Sequence, residues 1–454
     1  MKKIMILLFL ICGSSALLKA QPPSNSESKA KILPYPILQK KLPNGLNVVT
    51  VPFDSPGLAS FYIVMRVGSR DEIESGKTGF AHFFEHMMFR GTEKYPKEKY
   101  SDELKATGAS ANANTWLDRT VYHMTGNSEK LEKMFELEAD RFMNLKYSIQ
   151  DFKTEAGAVK GEYTKNSASP YVQLDEKMND VAFTAHTYKH TTMGFFKDVV
   201  DMPNQYEFSL EFFKKFYRPE YATIIVVGDV TEEKVMALAT KYFGTWEPGN
   251  YVSKIPVEPA QTETRYAHIQ KANFPPSVGL NYKGPAFKDG DKECIALDLL
   301  VTMLFSEKSA IYKKLVIEEQ KARSLDASFM FTRDPYLMSF SASLADGKDL
   351  QYVKEEMAKA LEKSKTVPFS KSEIDEAKMR LKYSFAMGMD SPGRIAESLS
   401  FYTWVTGDPE SINRTYALYD AITAEDMMSV AAKYFNPQSL TITTISPEST
   451  SPFQ

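Results

Sequence analysis

The order of apolar and polar positions predicts strands and helices that intermix along the whole chain. Leu42-Pro43-Asn44-Gly45-Leu46 places Asn-Gly, a strong hairpin turn signal, ahead of a strand over Asn47 to Val51. Phe61 to Val67 reads as a second strand and Thr78 to Phe89 as a helix. Ser370 with Glu373 forms a capping box for a long helix through about Phe385. Two segments 218 positions apart share one pattern: Lys215-Phe216-Tyr217-Arg218-Pro219 leading to Thr223-Ile224, and Lys433-Tyr434-Phe435-Asn436-Pro437 leading to Thr441-Ile442. Each follows a helical pattern and runs into β-branched positions, so a helix, a proline stop and a strand recur near the end of each half. This predicts an internal duplication. Without strict alternation of strand and helix, the expected fold class is α+β, with two duplicated half-domains, each a largely antiparallel sheet packed with helices.

The N-terminus stands apart from this pattern. Met1-Lys2-Lys3, an apolar run from Ile4 to Cys12 and small residues up to Ala20 have the plan of a secretory signal, with cleavage expected after Ala20. The expected organisation is a signal peptide over 1–20, a disordered segment over 21–34, a catalytic half over 35–246, a polar, proline-bearing linker over 247–265, and a second half over 266–454. The mature protein is expected to be exported, periplasmic or secreted. No later stretch reaches the roughly 18 apolar residues of a membrane helix. Ile11 before Cys12 argues against a lipoprotein.

Composition narrows the function. The 454 residues, 25% of them charged and 43% hydrophobic, are ordinary for globular domains with ample core, so a metal is not needed merely to fold. With 55 basic against 58 acidic residues, the chain lacks the basic excess that a nucleic acid partner requires. Loss of Lys2, Lys3 and Lys19 with the signal moves the formal charge from −3 to −6. Cys12 leaves too, so Cys294 remains alone, no internal disulfide is possible, and a packed, roleless thiol is expected.

The chemistry concentrates in Gly79-Phe80-Ala81-His82-Phe83-Phe84-Glu85-His86-Met87. On a helix, His82 and His86 present both imidazoles on one face, with Glu85 toward the same side. A chance His-x-x-acidic-His match is expected only about 0.01 times in a chain with this composition. Zinc suits such nitrogen and oxygen donors, and a catalytic site uses three protein ligands with a fourth position open to water. Glu85, next to a ligand, is better placed as general base than as ligand. Glu155 and Glu162 lie two helical turns apart on one face. One could ligate while the other orients a ligand imidazole, and their types alone leave open which does which. His186 and His190 have no carboxylate between them, so a structural role is expected, as it is for His123 and His268.

The block from Gly79 to Phe89-Arg90-Gly91-Thr92, with its inverted His-x-x-Glu-His order and a Glu-x6-Glu segment about 76 residues later, closely resembles the inverzincin peptidases of the M16 (pitrilysin, insulin-degrading enzyme, mitochondrial processing peptidase) family. Gly108 to Thr115 with Asp118, Thr120 and Tyr122, and Ala185-His186-Thr187-Tyr188, extend the likeness over nearly all of the mature chain. The resemblance implies the fold shared by M16 and LuxS-like metallohydrolases. It also implies one Zn²⁺ per chain on His82, His86 and Glu162, with Glu85 as base and Glu155 behind His86. Ala111, Asn112, Ala113, Asn114 and Thr115 would form an edge strand to which an extended or unfolded peptide adds by main-chain hydrogen bonds.

One departure bears on assembly. Active members complete the site with an arginine and a tyrosine seven positions apart from a C-terminal half, and here Val316 and Arg323 stand at those places. The resemblance then implies a zinc-bearing subunit whose M16-type partner supplies the Arg/Tyr pair in a clamshell heterodimer. A self-sufficient homodimer using Tyr312 or Arg323, or a non-catalytic scaffold, are the alternatives.

Overall fold

Two twisted sheets dominate a computed structural model of the chain, which describes residues 31–453. The expected signal peptide and residues 21–30 of the expected disordered segment lie outside the described residues. The first sheet holds β1 (Leu38–Lys41), β2 (Asn47–Pro52), β3 (Leu58–Met65), β4 (Ser110–Thr115), β5 (Thr120–Asn127) and β6 (Ala222–Gly228), in the order β1-β2-β6-β3-β5-β4. The second holds β7 (Arg265–Gln270), β8 (Ser277–Lys283), β9 (Ala322–Phe329), β10 (Leu337–Leu344) and β11 (Leu440–Ser446), in the order β7-β11-β8-β10-β9. Between them run helices, among them α1 (Phe80–Met87), α2 (Leu131–Asn144), α3 (Ile149–Asn166), α4 (Pro170–Ala182) and α5 (Tyr206–Phe216). The second half has α6 (Lys292–Leu304), α7 (Lys371–Met387), α8 (Pro392–Thr406) and α9 (Ala424–Tyr434). Only β2–β6 and β7–β11 pair in parallel; the other neighbours are antiparallel, so the expected α+β class and largely antiparallel sheets are those of the structure.

The duplication is exact in its central elements. α5 and α9, the single turns Pro219–Tyr221 and Pro437–Ser439, and β6 and β11 are each displaced by 218 positions, as are β2 and β7. Register repeats as well: Asn47 faces Thr223, and Arg265 faces Thr441. The cause is local. Proline at the head of each turn cannot continue a helix, and the β-branched run behind it favours an extended chain.

Period-two alternation shows how the halves join. Val48, Phe61, Ile63, Ile224 and Val226 point into a core with α1, α2 and α5, whereas Val49, Val51, Tyr62, Val64, Ile225 and Val227 point into a core shared with the second half. α8 of the second half lies on β3 and β6, contributing Ile395, Leu399 and Tyr402 to that shared core. In return, α4 of the first half lies on β7 and β11, and Arg265 donates to the carbonyls of Val181 and Ala182 at its C-terminal end. Each half therefore covers a face of the other's sheet. At about 1.5–3 kcal/mol for each large apolar side chain buried, the two halves are held as one body.

Some local expectations shift. Residues 31–34, expected within a disordered segment, are packed: Leu33 is fully buried in the shared core and its N–H donates to Asn413 Oδ1 at 3.1 Å. An isolated polar stretch gives no sign of such a distant anchor. β3 starts at Leu58 and ends at Met65, earlier than Phe61 to Val67. The Asn44-Gly45 turn is present, with Gly45 at φ +96° and the Leu42 N–H bonded to Leu46 O. The Ser370–Glu373 capping box starts α7. No helix or strand occupies residues 247–264, though Glu258 is pinned by the N–H groups of Thr184, Ala185 and His186. Cys294 is buried and free, its thiol donating to Ala286 O. Among the described residues, no helix is long and apolar enough to cross a membrane.

Candidate metal centre and edge strand

The central helix α1 is shorter than Thr78 to Phe89 because Gly79 caps it at φ +90°, a left-handed conformation outside helical space. A Cβ there would stand 2.9 Å from Met193 O, so glycine is required twice over. The orphan donors of the first turn meet one carboxylate: Glu72 Oε2 accepts from Gly79 N–H and Oε1 from Ala81 N–H, both at 2.7 Å. Thr78, just ahead, donates its hydroxyl to Asp198 at 2.7 Å. Burial pushes the Glu72 carboxyl up to about 8 against the opposing pull of those two N–H groups. Sequence reasoning missed Glu72 and Asp198, since nothing local marks a cap reaching in from seven or 120 residues away.

α1 and α3 pack side by side, and three donor atoms converge between them. His82 Nε2 and His86 Nε2 are 3.2 Å apart, and Glu162 Oε2 is 3.3 Å from His86 Nε2 and 3.7 Å from His82 Nε2. Ligands about 2.0–2.1 Å from a tetrahedral zinc stand about 3.3 Å from one another, so two imidazoles and a carboxylate at these spacings fit that ion. Burial, then the neighbouring His86, lowers His82 to about 4, which keeps its ring neutral as a ligand must be.

Glu155, the other acid of the pair, reaches the far side of the second imidazole, its Oε1 2.9 Å from His86 Nδ1. This hydrogen bond is the main cause of the raised His86. The other Glu155 oxygen accepts from Arg90. Burial works to raise the Glu155 carboxyl, and the bonds from His86 and Arg90 outweigh it, leaving it lowered. Replacing Glu155 with Gln should weaken metal binding by roughly 10–100-fold while leaving the fold intact. Competition with a chromophoric chelator measures this, and an unchanged affinity would remove Glu155 from the site.

Glu85 is half-buried on the same helix, and burial raises its carboxyl against the opposing pull of the nearby Thr115 hydroxyl. The strongest charges acting on it, His86, Glu162 and Arg119, all belong to the first half. Arg119, unremarked in the sequence, donates to Asn114 O at 3.0 Å. Thr115 ends β4, which lies at the edge of its sheet and packs on α1. Trp116 N–H donates to Arg119 O at 2.8 Å. Antiparallel pairs alternate from there, so Ala111, Ala113 and Thr115 direct their main-chain groups away from β5 toward the free edge, while Asn112 and Asn114 pair inward.

The remaining expected residues fall elsewhere. His186 binds Asp334 Oδ2 at 3.0 Å and accepts the Tyr188 N–H, joining Arg70 in an ion network between the halves. His190 is buried against Glu72, His123 stacks on Tyr62, and His268 bonds to Thr444. Val316 lies half-buried against the second-half core, and Arg323 is exposed on the edge strand β9. In the second half, α6 follows β8 as α1 follows β3, and it buries Leu299, Leu300, Met303 and Leu304 with no metal donor among them.

Comparison with known proteins agrees with this layout. The family model described as Insulinase (Peptidase family M16) matches residues 54–194, and the one described as Peptidase M16 inactive domain matches residues 205–381. The chain is 29% identical over 417 residues to the zinc protease PqqE of Helicobacter pylori, spanning 88% of this chain and 91% of that one. It is 25% identical over 423 residues to a probable mitochondrial-processing peptidase subunit beta of Arabidopsis thaliana, spanning 89% and 77%. A protease from Helicobacter pylori of known crystal structure superimposes with a TM-score of 0.85 at 27% identity, covering 91% of this chain and all of that one.

Proposed function

From the premise that this chain belongs to the M16 peptidase family, we propose that it is a zinc-dependent endopeptidase that cleaves extended or unfolded peptides. The observation that carries this is the meeting of His82 Nε2, His86 Nε2 and Glu162 Oε2 beside Glu85 and a free strand edge. Relatives named as zinc proteases support the choice of metal. His82, His86 and Glu162 hold the ion, which when bound supplies a Lewis acid and lowers the pKa of water.

The protein's own groups do the rest. The free N–H and C=O groups of Ala111, Ala113 and Thr115 take up a substrate backbone as an added strand, which is why varied sequences are accepted. Glu85, with its carboxyl raised by burial, accepts a proton from the attacking water and returns it to the leaving amine. Glu155 fixes the tautomer and orientation of His86, and Arg90 holds Glu155 in turn. Loss of a signal peptide and export to the periplasm or beyond complete the proposal.

The same proposal makes this the catalytic subunit of a heterodimer. Val316 and Arg323 stand where an Arg/Tyr pair belongs, and the strongest charges near Glu85 come from the first half alone. Metal analysis of a replete preparation should find about one zinc per chain, whereas less than about 0.1 would favour a scaffold. A quenched unstructured peptide should be cut slowly by this chain alone and fast after addition of an Arg/Tyr-bearing partner. Full activity alone would refute the two-subunit arrangement.

A further inference from the structure

A cavity of about 440 Å³ opens in the second half, bordered by α7, α8 and the helix Ser411–Asp420. α7 stops at Gly388 and α8 begins at Pro392, so both border the same space, and Gly388 and Met389 complete the wall between them. Four rings line it: Phe385 from α7, Phe401 and Tyr402 from α8, and Tyr416 from the third helix. Ring centroids stand 4.6 Å apart for Phe385 and Tyr416, and 5.1 Å apart for Phe401 and Tyr402. Tyr402 is only 7% exposed, yet among the described residues neither its hydroxyl nor that of Tyr416 has a hydrogen-bond partner. The charges nearby are out of balance. Asp298 on α6 lies close enough to both tyrosines for its charge to raise their hydroxyls, and its own hydrogen bond comes from Tyr419. Burial pushes the Asp298 carboxyl up to about 6, which leaves it ionised at neutral pH. Among the described residues, no cationic side chain forms an ion pair with Asp298 or with the exposed Glu397 on the cavity wall. Arg394, the one cation on that wall, is exposed and paired with Asp390 at 3.5 Å.

From the ring-lined walls, the free tyrosine hydroxyls and the two carboxylates without a counter-charge, we infer that this cavity binds a small methylated ammonium ion of the choline type. Aromatic faces attract a cation through their quadrupole, and the attraction grows where water is excluded. Asp298 and Glu397 add a negative field that Arg394, neutralised by Asp390, does not cancel. The methyl shell of such an ion gives up little water and needs no acceptor, which suits walls made chiefly of rings and the Met389 side chain. A primary ammonium would have to strip its N–H donors of water against the same rings. The hydroxyl of a choline-like ligand finds partners in Tyr402 and Tyr416. The volume falls within the roughly 300–1,000 Å³ of small-molecule sites. The cavity shares no residue with the metal centre, so the inference stands apart from the peptidase proposal.

Isothermal titration of the full chain with choline tests this, beside the neutral carbon isostere neopentyl carbinol and the unmethylated analogue ethanolamine. Choline should bind saturably with a Kd of about 1 mM or tighter, and both comparators about tenfold or more weaker. Tyr416→Leu keeps an apolar wall and removes a ring face, so it should weaken choline about tenfold and leave neopentyl carbinol as before. Glu397→Gln, at an exposed position, should weaken choline about threefold, and less at high salt. Should Tyr416→Leu fail to fold, Phe385→Leu at the half-buried end of α7 carries the same expected loss. Absence of saturable choline binding to the native chain would overturn the site. Equal affinity for the neutral isostere would make it an apolar hollow, and ethanolamine binding as tightly as choline a general amine site, each against the inference. Choline binding unmoved by either ring variant would place the ligand elsewhere and overturn it as well.

Discussion

Glu85→Gln should bind zinc as the native chain does and lose about 10²–10⁴ in kcat/KM. The side chain keeps its size, while the ability to take a proton disappears. None of the three donor atoms at the metal centre belongs to Glu85, so metal content should not follow activity. The direction of its shift matters as well. Burial raises the Glu85 carboxyl above the ordinary carboxylate range, and a more basic carboxylate gains driving force for taking a proton. Zinc content by elemental analysis and single-turnover rates on a quenched peptide separate the two effects. Activity retained at the native level would end the assignment of Glu85 as base, and parallel loss of zinc would recast it as a structural support of α1.

Arg141→Met should destabilise the fold by about 3–5 kcal/mol, the range for breaking one side of a buried ion pair. Arg141 on α2 is 2% exposed and Glu138 is 1% exposed, and Arg141 Nη2 donates to Glu138 Oε2 at 2.5 Å. Its Nε and Nη1 meet no oxygen or nitrogen acceptor. They are enclosed by ring faces instead, with Phe89 and Tyr122 at 4.8 and 4.9 Å and Tyr100 and Phe142 behind. Cation–π attraction replaces the missing acceptors, and methionine cannot supply it. What remains is the Glu138 carboxylate, buried with only the Tyr100 hydroxyl for company. A double variant, Arg141→Met with Glu138→Leu, should recover much of the loss, because it removes the stranded charge. Urea unfolding of the two variants measures this. Equal stability of single and double variants would show that Glu138 does not depend on Arg141. Phe89 lies two residues past the end of α1, so the same change should loosen the C-terminal side of the metal helix before the fold as a whole gives way.

The histidine spacing, the repeated helix–proline–strand unit, the Asn44-Gly45 turn and the Ser370–Glu373 cap are all legible in the sequence, because each is fixed within a few residues by helical period, proline chemistry or turn geometry. The helix over Thr78 to Phe89 was legible in kind but not in length, since its start depends on a left-handed glycine packed close against Met193 O, with its N–H bound by Glu72.

The chain order by itself determined that two imidazoles share a helix face, that the chain is built twice, and that Glu155 and Glu162 share another face. It left open which acid does what. Only the crossing of α1 over α3 decided that, setting Glu162 against the two Nε2 atoms and Glu155 against His86 Nδ1. Strand order alone made β4 an edge, and the exchange of α4 and α8 between halves alone covered a face of each sheet. The physical reason is range. Backbone geometry and side-chain period act over one or two turns, whereas these contacts join residues 69 to 331 positions apart, where only the packing of whole sheets and helices fixes which groups meet.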